Sequence, residues 1–150
     1  MFPFIKKIDI TRRHFAISAL VFLLFIVIVL PFFQFLFEHI SGVSQTPDTM
    51  FFYSPGTLYD VISNYQQSGR NLYIILRWTF DIVWPLVYTW FLLAGMIYYN
   101  KLLKCKYDFV FAFPILAFVF DLLENTLATI VVSSYPSQSF NMVYVLQAFS

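Results

Sequence analysis

The sequence has little charge and few of the side chains that usually carry catalysis. Only 11% of its 150 residues are charged, against about 25% in a typical soluble domain. Cys105 is the single cysteine, which excludes an intrachain disulfide and a site with several cysteine ligands. The two histidines, His14 and His39, lie at opposite ends of one apolar run, so neither can be paired with a serine as its base. We expect no cofactor and no metal site, and these absences argue against an enzyme.

The chain also lacks a strong excess of positive charge. Its formal net charge is +1, and no basic stripe with interleaved aromatic residues appears along it. A polyanionic partner would need such a surface. We therefore expect no nucleic acid among its partners.

Apolar residues are abundant, at 60% of the chain, and aromatic residues make up 22%. A bilayer core about 30 Å thick is crossed by about 20 apolar residues in a helix, and stretches 15–37, 72–99 and 109–132 reach that length. A fourth stretch, 140–150, has about half of it, so it either lies in the interface or opens a further span. The sequence predicts one membrane domain over 1–150, an all-α multi-pass transmembrane bundle of three full spans plus a partial fourth. We therefore expect the lipid bilayer to be a partner of the chain.

The basic residues orient this bundle. Lysine and arginine in short loops mark the cytoplasmic side of a membrane. Seven of the nine lie before the first span or between the second and third, namely Lys6, Lys7, Arg12, Arg13, Lys101, Lys104 and Lys106. Only Arg70 falls clearly in a loop on the other side. The bias predicts a cytoplasmic N-terminus, in a plasma, inner or organelle membrane.

The loop between the first two spans contains signals for a short helix. Ser54 is a suitable N-cap, and Pro55 suits the first helical position. Apolar residues then recur on one face, at Leu58, Val61, Ile62 and Tyr65. We expect a short amphipathic helix lying on the outer face as a cover over the bundle; a lid that controls access of a ligand is the less favoured interpretation.

Polar residues inside the second and third spans form the candidate site. They are Arg77, Asp81, Asp121, Glu124 and Asn125, and each costs several kcal/mol in hydrocarbon, so none should face lipid. At 1.5 Å per residue, all five lie roughly 9 to 18 Å below the same outer surface. The depth match predicts that these two spans are direct neighbours. Arg70 and Tyr73, nearer the outer end, are assigned to an outer mouth of the site.

The charges in this cluster do not balance. One arginine, Arg77, faces three carboxylates, so we expect a protonated carboxyl at neutral pH or a bound cation or amine. Two interpretations are open. Either the cluster fixes the helices in one register in a non-enzymatic membrane protein that presents a surface to another membrane protein or to itself, or it is a proton, cation or small-amine site of a carrier or channel component.

Four short patterns resemble a group of small four-span membrane proteins. They are Gly69-Arg70-x-x-Tyr73, Asp81-x-x-x-Pro85-x-x-Tyr88, Phe120-Asp121-Leu122-Leu123-Glu124-Asn125 and Tyr135-Pro136. The resemblance covers roughly residues 50 to 150, and its most specific part is Asp-x-x-Glu-Asn in the third span. In that group a full fourth helix follows. The resemblance implies a four-span fold and no particular activity.

Overall fold

The computed structural model describes residues 8–47, 50, 52–103 and 108–148. Within these residues the chain is helical and contains no β-strand. Three helices are long and apolar enough to cross a membrane: the first, second and third apolar helices, Arg12–Ser41, Gln67–Leu103 and Phe109–Ser133. The prediction of an all-α chain with three such helices is therefore confirmed, each slightly longer than its apolar run. Four of the basic residues used for orientation, Lys6, Lys7, Lys104 and Lys106, and positions 149–150 of the predicted partial span lie outside the described residues.

The first apolar helix is capped at both ends. Thr11 precedes it and forms a capping box with His14, whose backbone N–H donates to the threonine hydroxyl over 3.3 Å. At the other end Gly42 adopts a left-handed φ of 73°, and its N–H donates to the Glu38 carbonyl over 2.9 Å. Since glycine adopts this conformation without a steric penalty, the helix stops there.

The same helix contains one irregular turn. Helices α1 (Arg12–Leu24) and α2 (Leu30–Ser41) are joined by a π-helical segment, Phe25–Val29. Pro31 lies directly after it and has neither an N–H group nor room for a carbonyl four residues earlier. The wider turn accommodates the proline without ending the helix.

The second apolar helix is interrupted. Helix α4 (Gln67–Arg77) ends at Arg77, Trp78 and Thr79 form a turn, and α5 (Phe80–Leu103) continues the path. The two polar residues of this helix that were assigned to the site, Arg77 and Asp81, therefore lie on opposite sides of the interruption. The predicted span 72–99 lies within this helix, but the turn at Trp78 and Thr79 was not predicted.

The third apolar helix begins with a 3₁₀ turn, Asp108–Phe111, and continues as α6 (Ala112–Ser133). It packs against both α4 and α5. The prediction that the second and third apolar helices are direct neighbours is confirmed. Helix α1 also packs against α5, where Phe22 stacks on Phe91 with ring centroids 4.4 Å apart.

Glycine permits the closest approach between helices. A Cβ atom at Gly69 in α4 would lie 2.8 Å from the Cβ of Ser41 at the end of α2. No real pair of such carbon atoms comes this close, so a side chain at Gly69 would push the two helices apart. Glycine is thus required where the first and second apolar helices meet.

Two short helices cover one end of the bundle. Helix α3 (Pro55–Asn64) begins after Ser54, whose hydroxyl accepts the Thr57 N–H over 3.1 Å, and α7 (Phe140–Gln147) packs against it. The buried core lies beneath them, where their apolar side chains meet the ends of the three long helices. Its largest fully buried members are Leu58, Ile62, Tyr65, Val131, Val143 and Leu146. Each large side chain of this kind contributes about 1.5 to 3 kcal/mol through burial.

The tyrosines of this end are tied to the backbone. Tyr65 donates its hydroxyl to the Gln45 carbonyl over 2.8 Å, and burial raises the pKa of Tyr65. The Tyr59 hydroxyl accepts the Ser139 N–H over 2.7 Å, which joins α3 to the start of α7. Helix α7 has eight residues, so the predicted fourth span stays a prediction, as does the position of α3 on an outer membrane face.

Candidate functional site

Arg77, the last residue of α4, is the centre of the candidate site. It is only 5% exposed. A guanidinium removed from water must be surrounded by hydrogen-bond acceptors. Its Nε and Nη2 donate to the Tyr73 hydroxyl over 3.0 and 2.6 Å, and its Nη1 donates to Asn125 Oδ1 over 2.9 Å. These three hydrogen bonds of the charged group are thus made with neutral side chains.

The carboxylates contact the same guanidinium at longer range. Asp81 Oδ2 lies 3.4 Å from Arg77 Nη1, and Glu124 Oε1 lies 3.5 Å from Nη2. Strong charge-assisted pairs are shorter, about 2.7 to 2.9 Å. The carboxylates balance the charge, while the tyrosine and the asparagine make shorter contacts with the guanidinium.

Asp121, the third carboxylate of the cluster, has a different partner. Its Oδ2 accepts a hydrogen bond from the Tyr88 hydroxyl, which reaches it from α5. No direct bond joins Asp121 to Arg77 among the contacts of the described residues. Two carboxylates of the third apolar helix, Asp121 and Glu124, could pair with Arg77. The structure places Glu124 in contact with it.

Asn125 links the two halves of the second apolar helix. Its Oδ1 accepts from Arg77 on α4, and its Nδ2 donates to the backbone carbonyl of Asp81 on α5 over 2.9 Å. That carbonyl would bond the N–H four residues later in a regular helix, but the residue there is Pro85, which has none. The amide of Asn125 therefore supplies a hydrogen bond that the proline removes.

A second hydrogen-bonded connection joins the interruption of the second apolar helix to α6. The Trp78 indole N–H donates to Thr129 Oγ1 over 2.9 Å, and that hydroxyl donates to the backbone carbonyl of Asn125 over 2.8 Å. Trp78 is thereby fixed against α6 at the point where α4 ends. Neither residue was predicted to belong to the site, since a threonine and a tryptophan in a long apolar run carry no distinctive spacing.

A cavity of about 410 Å³ lies beside these groups. Helix α2 supplies one wall, α4 and α5 a second, and α6 a third. The polar residues predicted for the site all line it: Arg77, Asp81, Asp121, Glu124 and Asn125. Most of the remaining lining is apolar or aromatic and includes Phe33, Phe37, Phe80 and Trp84. The structure therefore brings the five predicted residues to one cavity with an aromatic wall.

The two residues assigned to an outer mouth have separate positions. Tyr73 is 3% exposed, contacts Arg77 and lines the cavity, so it lies inside the cluster. Arg70 is not among the cavity-lining residues. Its Nη1 donates to the Tyr65 carbonyl over 2.6 Å, and its guanidinium lies 4.9 Å from the centre of the Tyr135 ring. Arg70 and Tyr73 thus have different partners, and their assignment to an outer mouth stays a prediction.

The first apolar helix contributes lining residues that sequence reasoning missed. Gln34, Phe33 and Phe37 of α2 face the cavity. This helix has no buried charge and almost no polar residue in its middle. Its sequence therefore has no polar stripe that would predict which face of the helix lies against the cavity.

Among the residues that the structure describes, no group of three or more histidine, cysteine, aspartate or glutamate side chains is arranged to hold a metal ion. The cluster is thus a set of carboxylates around an arginine rather than a coordination sphere. The carboxyl residues of the cluster line a cavity whose lining is partly aromatic.

The fold and this site define the class of protein: an all-helical chain whose three long apolar helices indicate a membrane location and enclose a polar cluster. Comparisons of the chain with known protein families, with curated proteins and with solved structures found no match. The resemblance to the four-span group stays a prediction.

Proposed function

We propose that the chain is a multi-pass integral membrane protein with a cytoplasmic N-terminus. Three apolar helices and the bias of seven basic residues to one support this topology. Cys105, the only cysteine, provides the test, because it should react with a membrane-impermeant thiol reagent only after cells or vesicles are permeabilised. In a Cys105→Ser/Ser137→Cys variant the thiol moves to the exposed turn before α7 and should react without permeabilisation. The reverse pattern of labelling would show an inverted topology.

We further propose that the protein is not an enzyme and that its polar cluster fixes the helix bundle. The observation that carries this proposal is Asn125, which bonds the side chain of Arg77 and the carbonyl freed by Pro85. Groups that lack water as a partner in hydrocarbon must be satisfied by neighbouring helices. A cluster satisfied in this way holds α4, α5 and α6 in one register. The surface of such a bundle faces lipid, another membrane protein or a second copy.

Replacement of Asn125 by leucine tests this role. The change removes one acceptor from the Arg77 guanidinium and the side-chain donor to the Asp81 carbonyl, and the loss of a partner costs about 1 to 3 kcal/mol for each group left unsatisfied. We expect a loss of about 2 to 4 kcal/mol in the free energy of unfolding in detergent micelles. Asn71→Leu is the matched control, because Asn71 is exposed and bonds only Gln67 of its own helix. Equal effects of the two substitutions would argue against the bundle-fixing role.

A second function, a carrier or channel component for a cation, is favoured by a separate observation. Each carboxyl uses a single oxygen in its contacts with described residues: Asp81 Oδ2, Glu124 Oε1 and Asp121 Oδ2. No side-chain oxygen or nitrogen of the described residues is both fully buried and without a partner. The second oxygens are therefore accessible, and they belong to residues that line the cavity. Negative groups that remain accessible inside a helix bundle are suited to a proton or a cation.

Flux measurements separate this function from bundle fixing. In vesicles reconstituted with the full chain, Asp81→Asn and Glu124→Gln should abolish proton or cation flux, since both amides keep the side-chain shape but remove the negative charge. Glu38→Gln, a carboxylate at the exposed end of α2, is the control. If the wild type conducts nothing, or if both variants conduct normally, the protein is not a carrier that uses these residues.

A further inference from the structure

The cavity beside Arg77 has a chemical character that narrows its ligand. Its volume of about 410 Å³ falls within the range of about 300 to 1,000 Å³ typical of small-molecule sites. A single inorganic ion would fill only a small part of it. The ligand that fits is therefore an organic molecule with several non-hydrogen atoms.

The arginine is unsuited to holding an anion there. Five contacts engage its three nitrogens: two with Tyr73 and one each with Asn125, Asp81 and Glu124. A guanidinium has five N–H groups, so these contacts equal its donor capacity. A carboxylate or phosphate on a ligand would have to displace one of them. The positive charge at the site is already used in holding the helices.

The acceptors of the site are available, in contrast. Asp81, Glu124 and Asp121 each leave a second carboxyl oxygen without a partner among the described residues, and none of these oxygens is fully buried. Three carboxyl groups face one guanidinium around the cavity. A positively charged donor therefore finds both hydrogen-bond acceptors and uncompensated charge.

The aromatic wall suits the rest of such a ligand. Phe33 and Phe80 lie with ring centroids 4.6 Å apart, and Trp84 continues this wall next to the carboxylates. Aromatic faces attract organic cations and bury their apolar substituents. A bare metal ion has no apolar substituents to bury against these rings, and the described carboxylates form no group of three or more metal ligands.

We propose that the cavity binds a small organic ammonium ion, with its nitrogen at the accessible oxygens of Asp81, Glu124 and Asp121 and its apolar body against Phe33, Phe80 and Trp84. This inference rests on the proposed cation-carrier role and names its ligand class. It assigns Arg77 to holding the carboxylates in place rather than to contacting the ligand.

The test is calorimetric titration of the full chain in lipid nanodiscs with three probes of similar shape. They are 2-phenylethylammonium, the neutral 2-phenylethanol and the anionic 3-phenylpropanoate, with sodium chloride as a fourth titrant. We expect saturable binding of the ammonium ion and binding of the neutral probe that is weaker by about tenfold or more, the scale of a charge-assisted hydrogen bond. Equal or tighter binding of the neutral or anionic probe would overturn the inference.

Substitutions of cavity residues test whether the ammonium probe binds in the cavity. Glu124→Gln and Asp81→Asn should each weaken ammonium binding by about tenfold, whereas Glu38→Gln should leave it unchanged. Trp84→Leu should weaken binding, and Trp90→Leu is its matched control because Trp90 is exposed on the same helix. Circular dichroism and monodisperse elution establish that each variant is folded. Binding that none of the cavity substitutions alters would overturn the proposed site.

The titrations and the flux measurements together separate the proposed ligand class from the carrier function on which it rests. If protons or sodium ions cross the membrane in a manner dependent on Asp81 while no ammonium probe binds, the carrier role stands and the ligand class is wrong. If an ammonium probe binds but no flux occurs, the site stands and the carrier role is wrong.

Discussion

The second apolar helix forms ion pairs at two places, Lys101 and Arg77, which differ in geometry and in surroundings. At its far end Lys101 Nζ lies 2.8 Å from Asp9 Oδ1, with side chains that are 67% and 71% exposed. In its middle Arg77 lies 3.4 and 3.5 Å from Asp81 and Glu124, and its side chain is 6% exposed. The shorter pair is surrounded by solvent or headgroups, whereas the longer contacts belong to a buried network. Exposed pairs contribute little, and removal of one member of a buried pair is costly. Distance is thus a poor guide to which pair holds the structure.

The largest effect should come from Arg77→Leu. It leaves the Asn125 and Tyr73 oxygens without their donor and two carboxylates without their nearest positive charge, which typically costs about 3 to 5 kcal/mol. Chemical unfolding in detergent micelles measures the change. Arg70→Leu is the control, because Arg70 is partly exposed and contacts backbone and side-chain groups outside the cavity. A smaller loss for Arg77→Leu than for Arg70→Leu would show that the buried network is not the stronger of the two.

A double-mutant cycle between Pro85 and Asn125 tests whether the asparagine stabilises the buried network by compensating for the proline. Alanine at position 85 restores a backbone N–H that can bond the Asp81 carbonyl, so the amide of Asn125 becomes partly redundant. We expect Asn125→Leu to cost about 1 kcal/mol less in the Pro85→Ala background than in the wild type. An additive cycle would mean that the asparagine does not compensate for the proline.

Thr129→Val should have an intermediate effect. The substitution keeps the shape of the side chain but removes the acceptor of the Trp78 indole, a loss of about 1 kcal/mol. The neighbouring Thr126→Val is the control, since the hydroxyl of Thr126 bonds only the Leu122 carbonyl of its own helix. Tryptophan fluorescence should shift in the first variant alone. Identical spectra and stabilities would remove Trp78 from the network.

The exposed pair should give the smallest effect. Lys101 lowers the pKa of Asp9 below its ordinary value of 3.8. The contribution of this pair is therefore present above that value and disappears as the pH falls through the lowered pKa. We expect Asp9→Asn and Lys101→Met to leave the unfolding transition unchanged at neutral pH, with or without 1 M salt. A salt-sensitive drop in stability in either variant would contradict the contrast between the two pairs.

The parts of this structure that the sequence predicted follow from strong physical constraints. The thickness of a bilayer requires runs of about 20 apolar residues, and the three long helices were located within a few residues at most ends. Because charged groups cannot face hydrocarbon, the matched depths of Arg77 and Glu124 predicted their convergence. The helical start at Pro55 followed from Ser54, a residue with a clear capping function.

The parts that were not predicted have weak local signals. The interruption at Trp78 and Thr79 contains neither glycine nor proline, and it is stabilised by Thr129 and Asn125 of another helix. Tertiary contacts, rather than local propensity, determine these features.

The Asp81 carbonyl has a consequence for the order in which the chain assembles in the bilayer that we propose. The second apolar helix reaches the translocon before Asn125 does, so it enters the translocon with a charged Arg77 and an unpaired Asp81 carbonyl. An arginine near the centre of a helix opposes insertion by about 2.5 to 3.5 kcal/mol on biological insertion scales. The acceptor and the donor that relieve both groups arrive only with α6. The hairpin of the second and third apolar helices is therefore the smallest unit that can leave the translocon with these groups satisfied, and the two helices should insert together.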